Sequence, residues 1–365
     1  MKTNLRYKKI TVKVGSNVLT KSDGTLNDAN ISHLVDQIAI LHQKGVEIVL
    51  VSSGAVAAGR GEIGNRKKLD TVSARQLWSA VGQIILINKY ADSFRKYGMS
   101  CAQVLTTKEN FSDRVHYLNM KNCISTLIEN KVIPIVNEND TISVTELMFT
   151  DNDELSGLIA SMENSEALII LSNIDGIYDG SPDWPESKVI REITSKSKPL
   201  NEAISTTKSG FGRGGMLTKY HIAKKVSKGG INVHIANGMK ENTLLRIMNP
   251  AEDFVHTLFL SEKKKASNVK KWISYSESFA KGEVVVNEGA RNALLSTQAT
   301  SLLPVGIVSI DGTFEKGDLI RIKDETGKLI GIGKSEYNSE KAEKYLGNKN
   351  KKEIVHYDYL YLMEN

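Results

Sequence analysis

The sequence predicts an α/β protein in two parts: a mainly parallel sheet sandwiched by helices, then a small β-rich C-terminal domain. Three observations predict it. Apolar strand patterns alternate with helical patterns as far as Pro250, as they do where crossover helices join parallel strands. Beyond Pro250 the runs become short, alternating and punctuated by glycine. The chain has 365 residues, and single hydrophobic cores stop growing near roughly 250–300 residues.

In chain order, Lys9–Val14 reads as a short strand. Ile31, Leu34, Val35, Ile38 and Leu41 fall at helical spacing over Ile31–Gln43, with Asp28 as the N-cap. Glu47–Val51 reads as a buried strand. Leu69–Phe94 reads as a long helical region broken once, in which Gly82 faces a close neighbour. Cys101–Leu105 is a strand, His116–Asn130 a helix and Val132–Val136 a strand. Asp153–Met162 is a helix and Ala167–Leu171 an almost wholly apolar strand. Gly215–Lys228 is a helix ending at Gly229–Gly230, and Ile231–Ala236 the strand after it. A basic connector, Lys263–Lys271, lies within a linker at 261–276 that separates a first domain (1–260) from a second (277–365). In the second, Glu283–Val286, Val305–Ile310, Leu319–Lys323 and Leu329–Lys334 read as short strands.

Composition excludes several classes. Hydrophobic residues make up 40% and charged residues 25% of the chain, which is not the balance of a disordered chain or a coiled coil. The longest apolar stretches, such as Ala167–Leu171, are too short to span a bilayer, which takes about 20 residues. The basic opening segment leads into Ile10–Val14, interrupted by Lys13, and is no signal-peptide core. Cys101 and Cys123 lack metal-type spacing and read as buried small hydrophobes in a reducing, cytoplasmic setting. Net charge is +6, which favours anionic partners without choosing among them. From Glu277 onward there are 12 Lys and Arg against 14 Asp and Glu, so the basic excess lies in the first part of the chain.

Ligands of open parallel sheets bind beyond the carboxyl ends of the strands, and four loops there have unusual compositions. In Lys13-Val14-Gly15-Ser16, a lysine at a strand end precedes a small turn that can present backbone N–H groups to an anion. Taken alone, it reads first as an exposed strand lysine. Val51–Gly59 runs from a strand through small residues into a helix, as an anion site or a tight turn would. Val136-Asn137-Glu138-Asn139-Asp140 and Thr150-Asp151-Asn152-Asp153 crowd polar side chains together; turns and caps account for about half of these, a common use of Asx residues. An EF-hand starting at Asp151 fails, because Ser156 and Met162 stand where Gly and Glu are required. Ser209–Lys219 contains a G-x-G-x-x-G match, but polar residues rather than a strand precede it, so a dinucleotide fingerprint is rejected. A glycine loop leading into a helix with Lys219 in its first turn remains. Two lysines, glycine-rich backbone and a carboxylate cluster fit phosphoryl transfer, which needs positioning and charge neutralisation. No Ser/His/Asp or Cys/His set suggests a covalent nucleophile, and the seven histidines are scattered.

Lys9–Ser16, Val51–Arg60, Pro134–Asp140, Thr150–Gly157, Leu171–Tyr178 and Gly212–Lys219 resemble the bacterial glutamate 5-kinases of the amino acid kinase family, over nearly the whole chain. Gly282–Ala290, Ser301–Gly306 and Phe314–Ile322 resemble the PUA (pseudouridine-synthase-and-archaeosine-transglycosylase) module that many of them carry. The resemblance implies transfer of phosphate from ATP, with Mg²⁺, to the γ-carboxylate of L-glutamate. It makes Lys13 and Lys219 the catalytic lysines and Asp153 the group that holds them. It assigns Ser53, Gly54, Ala55, Asn137, Asp140 and Asn152 to glutamate. It assigns Lys13, Gly15, Ser172, Asn173 and the run Arg213, Gly214, Gly215, Met216, Leu217, Thr218 and Lys219 to ATP. It further implies feedback inhibition by proline, a homodimer or homotetramer, and a glutamate-5-semialdehyde dehydrogenase (γ-glutamyl phosphate reductase) as partner enzyme. Asn173, Arg213 and Thr150 depart from the family's more usual Asp, small residue and Gly. Relatives that phosphorylate acetylglutamate, aspartate, carbamate or UMP are the alternative acceptor reading. RNA is the alternative partner through the tail, whose net charge of −2 speaks against it. Tyr357, Tyr359 and Tyr361 alternate as packed strand residues would.

Overall fold

The computed structural model describes residues 5–64, 69–143, 149, 151–181, 184–197, 215–262, 273, 279–296 and 300–363. The connector Lys263–Lys271, together with Arg213, Gly214 and Thr150, lies outside them. The chain divides into two compact units, Met1–Lys265 and Ala266–Asn365.

The first unit is built on an eight-stranded sheet. Its strands are β1 (Lys9–Val14), β2 (Glu47–Val51), β3 (Cys101–Thr106), β4 (Ile133–Glu138), β5 (Ala167–Ser172), β6 (Glu192–Ile193), β7 (Asn232–Asn237) and β8 (Thr257–Phe259). The order is β3-β4-β2-β1-β5-β7-β8-β6. Strands β1 to β5 and β7 run parallel; β8 turns antiparallel to β7 and pairs with β6. The apolar sequences of β4 and β5 follow from burial along their whole lengths.

Helices of this unit are α1 (Ser16–Leu19), α2 (Asp28–Gln43), α3 (Ala55–Ile63), α4 (Thr71–Arg95), α5 (Glu109–Ser112), α6 (Arg114–Glu129), α7 (Asn152–Met162), α8 (Met216–Lys228) and α9 (Thr243–Met248). Two expectations need correction. Asn27, not Asp28, caps α2, its side chain accepting from the Asn30 N–H, while Asp28 sits in the first turn. The long helix α4 is unbroken; Asp70 accepts from both Val72 and Ser73 N–H, and no proline interrupts the helix. Gly82 does face a close neighbour. A Cβ there would lie 1.7 Å from the Ala55 carbonyl oxygen and 2.5 Å from the Gly59 nitrogen. Helices α3 and α4 therefore touch backbone to backbone, which only glycine permits. The cysteine expectation is also corrected: Cys101 is partly buried and Cys123 exposed, the latter on the outward face of α6.

The second unit is a five-stranded sheet, ordered β10-β9-β11-β12-β13. Its elements are β9 (Gly282–Val286), α10 (Glu288–Leu294), β10 (Ile307–Asp311), β11 (Leu319–Asp324), β12 (Leu329–Ser335), α11 (Ser339–Lys344) and β13 (Val355–Leu362). Val284, Val286, Ile320, Ile322, Ile330 and Val355 anchor its own core. Tyr357 and Tyr359 are exposed, contrary to the packing their alternation suggests. The cause is register. β12 pairs Gly333 with Leu360 and Ser335 with Val355, so two steps on β12 face five on β13 and the surplus residues bulge outward.

Candidate functional site

The carboxyl ends of β1, β2, β4 and β5 meet the amino ends of α3 and α7. Lys13, near the end of β1, is only 5% exposed, and Lys219, in the first turn of α8, only 9%. Both reach Asp153, whose residue exposure is 0%. Lys13 Nζ lies 2.6 Å from Asp153 Oδ1 and Lys219 Nζ 2.9 Å from Oδ2. One carboxylate thus bridges two ammonium groups from elements far apart in sequence.

Local structure sets this arrangement. Asp151 caps α7, its Oδ1 accepting from the Asp153 and Glu154 N–H groups. The cap fixes where the helix begins, and so where Asp153 points. Gly15 leaves room beside the Lys13 ammonium: a Cβ there would lie 3.6 Å from Nζ and 3.3 Å from the Leu171 carbonyl oxygen. The Gly15 N–H donates to that carbonyl and is not a free donor.

The electrostatics are strongly coupled. Burial alone would push the Asp153 carboxyl up, but Lys13 and Lys219 outweigh it and hold Asp153 well below the usual carboxylate range. Burial would lower Lys219; the Asp153 charge reverses that and raises it. Asp151 is pushed up, first by burial and then by the neighbouring Asp153 charge.

A second cluster adjoins the first. Asn152 Nδ2 donates to the Ser52 carbonyl oxygen at 2.8 Å, Asn137 Oδ1 at 3.0 Å and Ser53 Oγ at 3.1 Å. It ties the ends of β2 and β4 to the start of α7. Gly54 caps α3 with a φ of 97°, a left-handed conformation that glycine adopts freely, and Ala55 opens the helix. Asp140, just beyond β4, is clamped by Arg75 of α4.

On the other side of β1, Ser172 ends β5, and its hydroxyl lies 3.4 Å from Asn173 Oδ1. Gly215 caps α8, and Met216, Leu217, Thr218 and Lys219 form the helix's first turn. The structure therefore brings Lys13, Asp153 and Lys219 together, and joins Ser53, Asn137 and Asn152. Asp140 stands in an ion cluster with Glu138, its neighbour in the polar run at the end of β4, and with Arg75, which the sequence does not single out. A signal for the α4 contribution was present. Gln76, Ser79, Gln83, Leu86 and Tyr90 form one stripe along α4, and four of these five are buried. Polar residues continuing an apolar stripe point to buried partners.

A buried lysine pair bridged by one carboxylate, at the carboxyl edge of a parallel sheet, defines a site for a polyanion. Comparison with protein families matches the Amino acid kinase family over residues 8–237 and the PUA domain over residues 282–357. The chain belongs to the amino acid kinase family and carries a PUA domain at its C-terminal end. It is 59% identical to a glutamate 5-kinase of Bacteroides thetaiotaomicron, over 98% of this chain and 99% of that one. It is 50% identical to a glutamate 5-kinase of Chlorobaculum tepidum, over 98% of each chain. Among solved structures, a carbamate kinase from Giardia lamblia bound to AMP-PNP shares the fold. Its TM-score is 0.51 at 17% identity, covering 70% of this chain and 99% of that one. Among the described residues no helix is long and apolar enough to cross a membrane.

Proposed function

We propose that this protein transfers the γ-phosphoryl group of ATP to the γ-carboxylate of L-glutamate, giving ADP and γ-glutamyl phosphate. The observation that carries the proposal is the buried Lys13–Asp153–Lys219 bridge beside the polar Ser53–Asn137–Asn152 cluster. Relatives of 59% and 50% identity named glutamate 5-kinase support the choice of acceptor.

In this mechanism a γ-carboxylate oxygen of glutamate forms a bond to the γ-phosphorus. The bond to the β,γ-bridging oxygen breaks, and its electron pair leaves on ADP. The acceptor is already ionised, so no general base is needed. The task of the protein is to position two anions against each other and to offset their charge. Lys13 and Lys219 supply that charge, and Asp153 keeps both ammonium groups aimed at one point. Ser53, Asn137, Asn152 and Asp140 hold glutamate, with the N–H groups of Gly54 and Ala55 facing its carboxylate at the start of α3. Gly15, Ser172, Asn173 and the segment from Arg213 to Lys219 hold ATP. When bound with ATP, Mg²⁺ would supply further charge neutralisation. Asp151 fits that ion, because its Oδ2 is buried at the site with no hydrogen-bond partner among the described residues, and Asp151 would hold it. We further propose feedback inhibition by proline at the glutamate pocket, a homodimer or homotetramer in the cytoplasm, and delivery of the labile acyl phosphate to γ-glutamyl phosphate reductase.

The test is ADP release by the purified chain with Mg-ATP, comparing L-glutamate with N-acetylglutamate, aspartate, carbamate and UMP. Turnover dependent on L-glutamate is expected; turnover with another acceptor alone overturns the substrate.

A further inference from the structure

The ion cluster behind the acceptor pocket contains two residues, Arg75 and Glu138, to which the phosphoryl-transfer scheme gives no role. Arg75 projects from α4, and its Nη2 donates both to Asp140 Oδ1 and to Glu138 Oε2, the latter at 3.2 Å. The other Glu138 oxygen, Oε1, accepts from the Phe149 N–H at 3.0 Å. One carboxylate at the end of β4 therefore ties down two things. Through Arg75 it fixes Asp140; through Phe149 it fixes the chain two residues before the Asp151 cap of α7. Helix α4 adds two amide contacts along the same face. Gln76 Nε2 donates to the Thr141 carbonyl oxygen at 2.9 Å, and Gln83 Nε2 to that of Glu138 at 3.4 Å. Glu138 and Asp140 are both buried, so Arg75 is the cation that allows two carboxylates to stand together there.

We propose that Arg75 and Glu138 are positioning residues for the amino-acid acceptor: they hold Asp140 and the turn after β4 in the shape that receives the acceptor's ammonium group. Neither residue touches the phosphoryl group in this scheme. The inference rests on the glutamate kinase reading for the identity of the acceptor, and on the described geometry for the device.

The same contacts make the device sensitive to pH. Glu138 faces Asp140 on its own turn, Arg75 on α4, the Phe149 N–H, and Glu154 on α7. Burial, followed by the Asp140 charge, pushes the Glu138 carboxyl up to about 7, with Arg75 pulling the other way. Protonation below that value removes the charge that holds Arg75 between the two acids. The acceptor pocket is therefore tight above about pH 7 and loosens as pH falls through it.

The experiment measures KM for L-glutamate, KM for ATP and kcat between pH 6 and 8.5 in the wild type and in Arg75→Met, Arg75→Lys and Glu138→Gln. In the wild type, glutamate KM should rise as pH falls through 7. Glu138→Gln should hold it raised by about tenfold at all pH values, with the pH step gone. Arg75→Met should raise glutamate KM by about tenfold or more while ATP KM stays within about twofold, and Arg75→Lys should recover most of the loss. Amide hydrogen exchange over Asn139–Ser143 should rise in Arg75→Met with no substrate present. That second readout stands even if glutamate proves not to be the acceptor, so the two readings fail separately. If Glu138→Gln keeps the wild-type pH profile, the proposal is overturned. Equal losses in kcat with unchanged glutamate KM, or unchanged exchange in a folded Arg75→Met, also overturn it.

Discussion

Asp153→Asn removes one charge and almost no volume, so its consequences can be worked from the cluster itself. The wild-type carboxylate lies 2.6 Å from one ammonium and 2.9 Å from another. Both lysines are nearly excluded from solvent. The amide leaves them facing each other, with the Asp151 carboxylate still nearby. Breaking a buried ion pair by removing one partner costs about 3–5 kcal/mol. We take that range once rather than twice, because the two pairs share one carboxylate and Asp151 remains. In a unit of this size each kcal/mol moves the melting temperature by about 2–4 °C, so the variant should melt roughly 6–20 °C lower. A polyphosphate binding between the lysines restores the missing negative charge. A non-hydrolysable ATP analogue with Mg²⁺ should therefore raise Tm more in Asp153→Asn than in the wild type. The assay is a thermal scan of both proteins with and without the analogue. The pH dependence has a definite sign. The folded-state Asp153 carboxyl is held below its ordinary value, so its contribution is fully present above the unfolded value near about 4. It is lost only as pH falls through the lower folded value; Asp151, pushed up to about 6 by burial and the Asp153 charge, titrates differently in the two proteins, so the gap should stay constant only from about pH 7 to 8. A fall in Tm below about 2 °C would refute the dependence of the lysines on Asp153. Equal stabilisation of both proteins by the analogue would refute the idea that phosphates engage the same lysines.

Lys13→Ala should lower kcat by roughly 10²–10³, the usual cost of one preorganised charge donor, and should lower Tm by less than Asp153→Asn does, because Lys219 still pairs with the buried carboxylate; steady-state kinetics and a thermal scan check both. Lys219→Ala should do the same, whereas an intact kcat with raised ATP KM would confine Lys219 to binding. Asp140→Ala should raise glutamate KM more than ATP KM, measured in the same assay. Gly82→Ala would place its methyl group 1.7 Å from the Ala55 carbonyl oxygen, forcing α3 and α4 apart by about 1.5 Å at a cost of roughly 3 kcal/mol or more. Because Ala55 opens α3, ligand binding should weaken along with stability, as isothermal titration and chemical denaturation would show.

Much of the first unit was legible because its strands are buried on both faces. Ala167–Leu171 has few polar residues for the same reason that β5 is enclosed along its length. The lysine and Asx loops were legible because they follow such strands. The bridge itself was not: Lys13, Asp153 and Lys219 are more than 60 residues apart at their closest, and no spacing rule joins them. Arg75 escaped notice because an arginine in a helix reads as a solvated face until its partners are known. The break expected in α4 is absent, since 25 continuous residues form one helix, whereas the close approach expected at Gly82 is where α3 meets it. The exposure of Tyr357 and Tyr359 depends on a register shift between β12 and β13, which alternation within one strand cannot reveal.

The most direct test of the central claim is trapping of the acyl phosphate. The purified chain is incubated with Mg-ATP and L-glutamate in hydroxylamine, and ADP and γ-glutamyl hydroxamate are both quantified. The account predicts the two in equal amounts, with both lost together in Lys13→Ala. ADP formed without hydroxamate would mean that the lysine bridge directs water, not a carboxylate, to the phosphorus, and would contradict it.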